Sequence, residues 1–67
     1  MTIGEKIKLA LEMRGMSQRE LADKTRLTEV TISRYVADSR KPNAKTIKAI
    51  CRALHISADW LLDIKEN

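Results

Sequence analysis

Apolar residues recur along this chain at helical spacing, and no segment alternates with the period of a strand. Ile3, Ile7, Ala10, Leu11 and Arg14 fall on one arc and predict a first helix over about 2–14. Gly15 ends it, at the position where a left-handed residue is favoured after a helix. Ser17 caps a second helix, and Glu20 three residues later completes a capping box, with Leu21 and Ala22 facing inward. Thr28 caps a third helix over about 29–37, in which Ile32, Tyr35 and Val36 share one side. The stretch Asp38-Ser39-Arg40-Lys41-Pro42 cannot continue it. Asn43 caps a fourth helix with an i, i+3, i+4, i+7 stripe of Ile47, Ile50, Cys51 and Leu54, and His55 lies just past its end. Ser57 caps a short fifth helix through Leu62. The expected fold class is therefore all-α, a compact five-helix domain spanning 1–67.

Helices two and three are joined by so few residues that they must cross sharply. Leu21, Ala22, Leu27, Ile32 and Tyr35 can then form one shared core, and small Ala22 lets the two helices approach. These residues resemble the phage repressor and Cro family of helix-turn-helix proteins. The matching words are Ile3-Gly4-Glu5-Lys6-Ile7, Gly15-Met16-Ser17-Gln18, Glu20-Leu21-Ala22, Leu27-Thr28 and Ile32-Ser33-Arg34-Tyr35. Pro42, the stripe from Ile47 to Leu54, and Ile56-Ser57-Ala58-Asp59-Trp60-Leu61-Leu62 extend the match over nearly the whole chain. The resemblance implies a lambda-repressor-like fold with the helix-turn-helix at about 18–37.

Three departures from the family pattern bear on stability. Arg26 stands at the turn position where the family favours Gly, so a residue with a side chain must take up positive φ there, at a cost of roughly 1 kcal/mol. Thr25 replaces a usual aliphatic. Leu11 and Val36 replace an Arg and a Glu that pair in many members, and the expectation is that the two aliphatic side chains touch. Exchanging both partners of a buried ion pair for packed apolar groups is neutral or stabilising, whereas exchanging one is costly.

Charge narrows the partner. The chain carries a formal +4, but within 14–52 ten Lys and Arg stand against four Asp and Glu, a local excess of +6. Basic charge concentrated in the middle of a small domain favours a polyanion. The helix-three face opposite Ile32, Tyr35 and Val36, at about 100° per residue, holds Val30, Arg34 and Ala37, with Ser33 beside them and Glu29 and Thr31 at the helix start. An α-helix fits the major groove, where base edges present distinct donor and acceptor patterns. Glu29, Val30, Thr31, Ser33 and Arg34 are the candidate base contacts. Arg34 matches guanine O6 and N7, Val30 a thymine methyl, and Glu29 cytosine N4. For Glu29 a helix-dipole role competes, and for Arg34 a phosphate contact does. Gln18, Arg19, Lys24, Thr28, Arg40, Lys41 and Asn43 are the candidate phosphate contacts, with solvated surface as the competing reading for each charge. The resemblance further implies that Gln18 braces the start of helix three.

Other chemistry is poorly supplied. Cys51 sits on the apolar stripe as a small core hydrophobe, and one cysteine makes neither a disulfide nor a zinc site. His55, alone, reads as a helix end. No nucleophile–base grouping suggests an enzyme, no glycine-rich loop a nucleotide, and no cofactor or metal is expected. No apolar run suits a signal peptide or bilayer span, and a cytoplasmic location is expected. Trp60 and Leu61 cover the base of the core, with a partner role as the second reading.

The favoured function is sequence-specific double-stranded DNA binding by a transcription regulator of repressor type. Paired half-sites and a homodimer are implied by the resemblance, with Ala58, Leu61, Leu62 and Ile64 as the candidate dimer contact. The chain reads as a short phage or plasmid regulator or as the amino-terminal part of a longer repressor. An antitoxin-like or adaptor module is the competing class; RNA binding is disfavoured because no exposed aromatic platform is expected.

Overall fold

The computed structural model describes residues 1–63. In order, α1 (Ile3–Arg14), α2 (Gln18–Thr25), α3 (Glu29–Val36), α4 (Ala44–Leu54) and α5 (Ala58–Leu62) pack around one apolar cluster. No strand occurs among the described residues. Thr2 proves to be the N-cap of α1 rather than its first residue, in a capping box that sequence reading missed: its hydroxyl accepts from the Glu5 N–H at 3.1 Å, and Glu5 Oε1 accepts from the Thr2 N–H at 2.9 Å. Ser17, Thr28, Asn43 and Ser57 cap the other four helices, each accepting an N–H three residues on. Each such cap contributes on the order of 1 kcal/mol. The third helix stops at Val36, with Ala37 as its C-cap.

Ile7, Leu21, Ile32, Ile50, Leu54 and Leu61 are fully enclosed and come from all five helices. A domain this short depends on such sharing, because no single pair of helices removes enough apolar surface from water. Leu11 is buried, and Val36 is half-buried against the same cluster. That environment suits an aliphatic pair and would penalise a lone charge. Leu27, expected in the shared core, packs at its edge.

Three contacts between distant parts of the chain help to hold the helices in place. Gly4 lies in the first turn of α1 against the end of α3, where a Cβ would stand 2.6 Å from the Tyr35 carbonyl oxygen and closer still to that of Val36. Lys6, 7% exposed, donates from Nζ to the Trp60 carbonyl at 2.7 Å and lies 5.5 Å from the centre of the Trp60 ring. Its stem covers apolar surface while its ammonium closes the end of α5. Arg14, expected on the inward arc, is exposed; its guanidinium instead reaches the carbonyls of Leu54 and His55 at the end of α4, at 2.8 and 3.0 Å.

Among the described residues, four other than glycine take up left-handed backbone: Arg26, Asp38, His55 and Asp63. Arg26 does so at φ 59°, ending α2 so that three residues suffice to reach α3, as the departure from glycine required. Replacing Arg26 by Gly should remove the clash of its Cβ and raise stability by about 1 kcal/mol, a gain of roughly 4–8 °C in the thermal midpoint. Circular dichroism melting checks this, and an unchanged or lower midpoint would refute it.

The first turn of α1 also makes stability acid-sensitive. The bond from the Thr2 N–H holds the Glu5 carboxyl below its ordinary range. The Thr2 hydroxyl, then the Gly4 N–H, do the same for Asp38. A carboxyl with a lowered folded pKa contributes stability that is complete above its unfolded value, about 4, and is lost as pH falls through the folded value. The thermal midpoint should therefore drop below about pH 4. Asp38→Asn should make that acid limb shallower; equal limbs in both proteins would contradict the assignment.

Candidate nucleic-acid interface

The geometry of α3 follows from its two neighbours. Its inward residues Ile32 and Tyr35 are buried, and no described residue covers the opposite side. Val30 on that side is 61% exposed, and Glu29, Ser33 and Arg34 are exposed with it. An uncovered valine amid polar neighbours has no packing role. Gln18, half-buried at the start of α2, joins Glu29, Val30, Ser33 and Arg34 around one shallow depression. The short turn thus brings a polar side chain from α2 to the start of α3.

Thr31 differs from its companions. It is half-buried, its N–H donates to the Thr28 hydroxyl at 3.1 Å, and the two hydroxyls bond each other at 2.8 Å. Thr28 thereby caps α3 and fixes the Thr31 side chain toward the helix start.

The basic residues fall into separate groups. Arg40 and Lys41 are exposed on the loop after α3 and line a cleft with Thr2, Ile3, Asp38 and Pro42. Asn43 caps α4, its Oδ1 accepting from the Thr46 N–H at 2.8 Å while its amide hydrogens remain available as donors. Arg19 is exposed on the first turn of α2. Lys24 lies apart from the α3 group, in a depression with Ala49, Arg52 and Ala53 of α4.

The residues assigned to a dimer contact are not equivalent. Leu61 is 1% exposed, so its side chain is committed to the core and offers no surface to a second subunit; that assignment is corrected. Periodicity in a five-residue helix could not separate the inward leucine from its exposed neighbour Leu62. Leu62 and half-buried Ala58 border an apolar concavity with Ala44, Ile47, Cys51 and Ile56. Ile64 lies outside the described residues. Burial pushes the Cys51 thiol up, keeping it in the unreactive protonated form. No group of three metal-capable side chains is found among the described residues, and no helix there is long and apolar enough to cross a membrane.

Known proteins agree with this geometry. The pattern of a family described as helix-turn-helix matches residues 7–61. The HTH-type transcriptional regulator ImmR of Bacillus subtilis (strain 168) is 31% identical over 62 residues, which is 92% of this chain and 49% of ImmR. The chain spans about half the length of the curated relatives it matches. The P22 c2 repressor, solved in complex with a synthetic operator, superimposes with a TM-score of 0.87 at 26% identity, covering 91% of this chain and 92% of that one. SinR of Bacillus subtilis, solved in complex with DNA, gives a TM-score of 0.87 at 27% identity and covers 92% of this chain and all of its own. With the capped α2, the tight left-handed turn and the bare outer side of α3 in place, the chain belongs to the helix-turn-helix family, in its phage repressor and Cro branch.

Proposed function

We propose that this chain binds double-stranded DNA sequence-specifically and acts as a transcription regulator of repressor type inside the cell, with α3 in the major groove. One observation carries the reading: Val30 and Arg34 stand exposed on α3 while Ile32 and Tyr35, on its other side, are buried. Glu29, Val30, Ser33 and Arg34 then face base edges, and Thr31 contributes through its methyl group at the helix start. Gln18, Arg19, Thr28, Arg40, Lys41 and Asn43 meet phosphates, which fix register without reading sequence. Lys24, which borders α4, is a further phosphate contact and the weakest of them. The P22 c2 repressor, solved with a synthetic operator, and SinR, solved with DNA, support the same partner.

Regulators of this architecture bind two half-sites about 34–36 Å apart as a two-fold dimer. The apolar concavity bordered by Ala58 and Leu62 supports a homodimer contact there, with the α4 residues Ala44 and Cys51 added to those the sequence suggested. Residues 1–67 act as one DNA-binding unit. No catalytic step or cofactor enters this function.

A gel-shift series on a mixed-sequence duplex tests the proposal. Affinity should fall with salt along a log–log line whose slope is about −0.9 per phosphate neutralised. A protein that ignores duplex DNA at low ionic strength, or binds it without salt dependence, would sink the reading.

A further inference from the structure

The loop that carries Arg40 and Lys41 is fastened at both ends. At one end Ser39 donates its N–H to the Arg34 carbonyl at 2.9 Å and its hydroxyl to the same oxygen at 3.2 Å, which ties the loop to the end of α3. At the other, Pro42 is buried. Immediately before Ser39, Asp38, held at φ 58°, turns its carboxylate toward the start of α1. There Oδ1 accepts the Gly4 N–H at 2.9 Å and Oδ2 accepts the Thr2 hydroxyl. These bonds join positions 34 and 36 residues apart. Gly4 is also where α1 lies against the carbonyls of Tyr35 and Val36, so Asp38 bonds at a tight contact between α1 and α3.

A carboxylate at the start of a helix satisfies an amide donor that the helix itself cannot. Asp tolerates left-handed backbone better than most residues, though Gly would meet that demand with less strain. The side chain therefore supplies something the backbone turn does not need. Resting on the DNA-binding reading above, we propose that Asp38 is a positioning residue of the DNA interface. Its carboxylate locks the loop to α1 and so sets the place at which Lys41 and Arg40 meet the phosphate backbone. Asp38 itself stays clear of the DNA and acts through these two cations.

A double-mutant cycle on binding to a mixed-sequence duplex tests this, using Asp38→Gly, Lys41→Ala and the combined variant at about 50 mM salt. Lys41→Ala alone should weaken binding roughly five-fold and reduce the salt slope by about 0.9. In the Asp38→Gly background the same change should cost less than about two-fold, because the loop no longer presents the ammonium at a fixed phosphate. Asp38→Asn keeps an acceptor for the Gly4 N–H and should recover part of the coupling. Melting curves confirm that each variant is folded at the assay temperature, and a purely structural role would lower the midpoint while leaving the cycle additive. If Lys41→Ala costs the same factor with and without Asp38, the positioning role falls and DNA binding stands. If the unmodified protein binds no duplex, both fall together.

Discussion

Replacing Gly4 by Ala is expected to destabilise the fold by about 2–3 kcal/mol, although Ala is the better helix former. Local propensity argues for the opposite sign: within a helix, Ala is favoured over Gly by about 1 kcal/mol. The added Cβ, however, would stand 2.6 Å from the Tyr35 carbonyl oxygen, 2.8 Å from Asp38 Oδ2 and closest of all to the Val36 carbonyl. The carboxylate can rotate away, at the loss of its bond to the Gly4 N–H. The two carbonyls belong to the last turn of α3 and cannot move unless α3 moves with them. A core of this size supplies roughly 3–5 kcal/mol in all, so a loss of 2–3 leaves a substantial unfolded fraction. The thermal midpoint should drop by on the order of 10 °C or more. A midpoint equal to or above that of the unmodified protein would show that α1 and α3 can separate freely.

The second large effect concerns recognition. Truncating Arg34 to Ala is expected to abolish discrimination at one base pair of the operator, a change of about 1–3 kcal/mol, roughly five- to 150-fold between the right and the wrong base. Its exposed guanidinium lies on the same depression as Val30 and Ser33, on the uncovered side of α3. A planar fork of donors matches guanine O6 and N7 together, which a lone ammonium cannot do. Lys41→Ala should instead weaken every sequence alike, since a phosphate contact carries no base information. Selection of bound fragments from random duplexes, at one stated salt concentration, reads both. If Arg34→Ala lowers affinity uniformly and leaves the selected sequence unchanged, Arg34 contacts only the backbone.

What could be read from the sequence was local. Ser17 with Glu20, and Gly15, Thr28, Asn43 and Ser57, act on amides or carbonyls within one turn, so their spacing alone places the helix ends. The left-handed turn at Arg26 was legible from the family resemblance, which favours Gly at that position. The outer side of α3 followed from where Ile32 and Tyr35 must point. The contacts that fix α1 were not legible. Asp38 reaches Thr2 and Gly4 across more than thirty residues, and Lys6 reaches Trp60 across 54. No period or motif marks a partner that distant, and a lysine is ordinarily assigned to the surface. Gly4 was visible as a word of the family pattern, but its reason, the closeness of two α3 carbonyls, is a property of the packed structure. Lys24 shows how little charge alone says of position: it borders a depression with Ala49, Arg52 and Ala53 of α4, a neighbourhood no spacing in α2 announces.

The pairing of Lys6 with the sole tryptophan has a practical consequence. Because the indole is partly open to solvent and lies near an ammonium anchored in α1, its emission reports the seating of α5 without any dye or tag. Detachment of α5 alone would alter fluorescence while leaving most of the helical dichroism intact. The chain thus carries an optical gauge for events at α5.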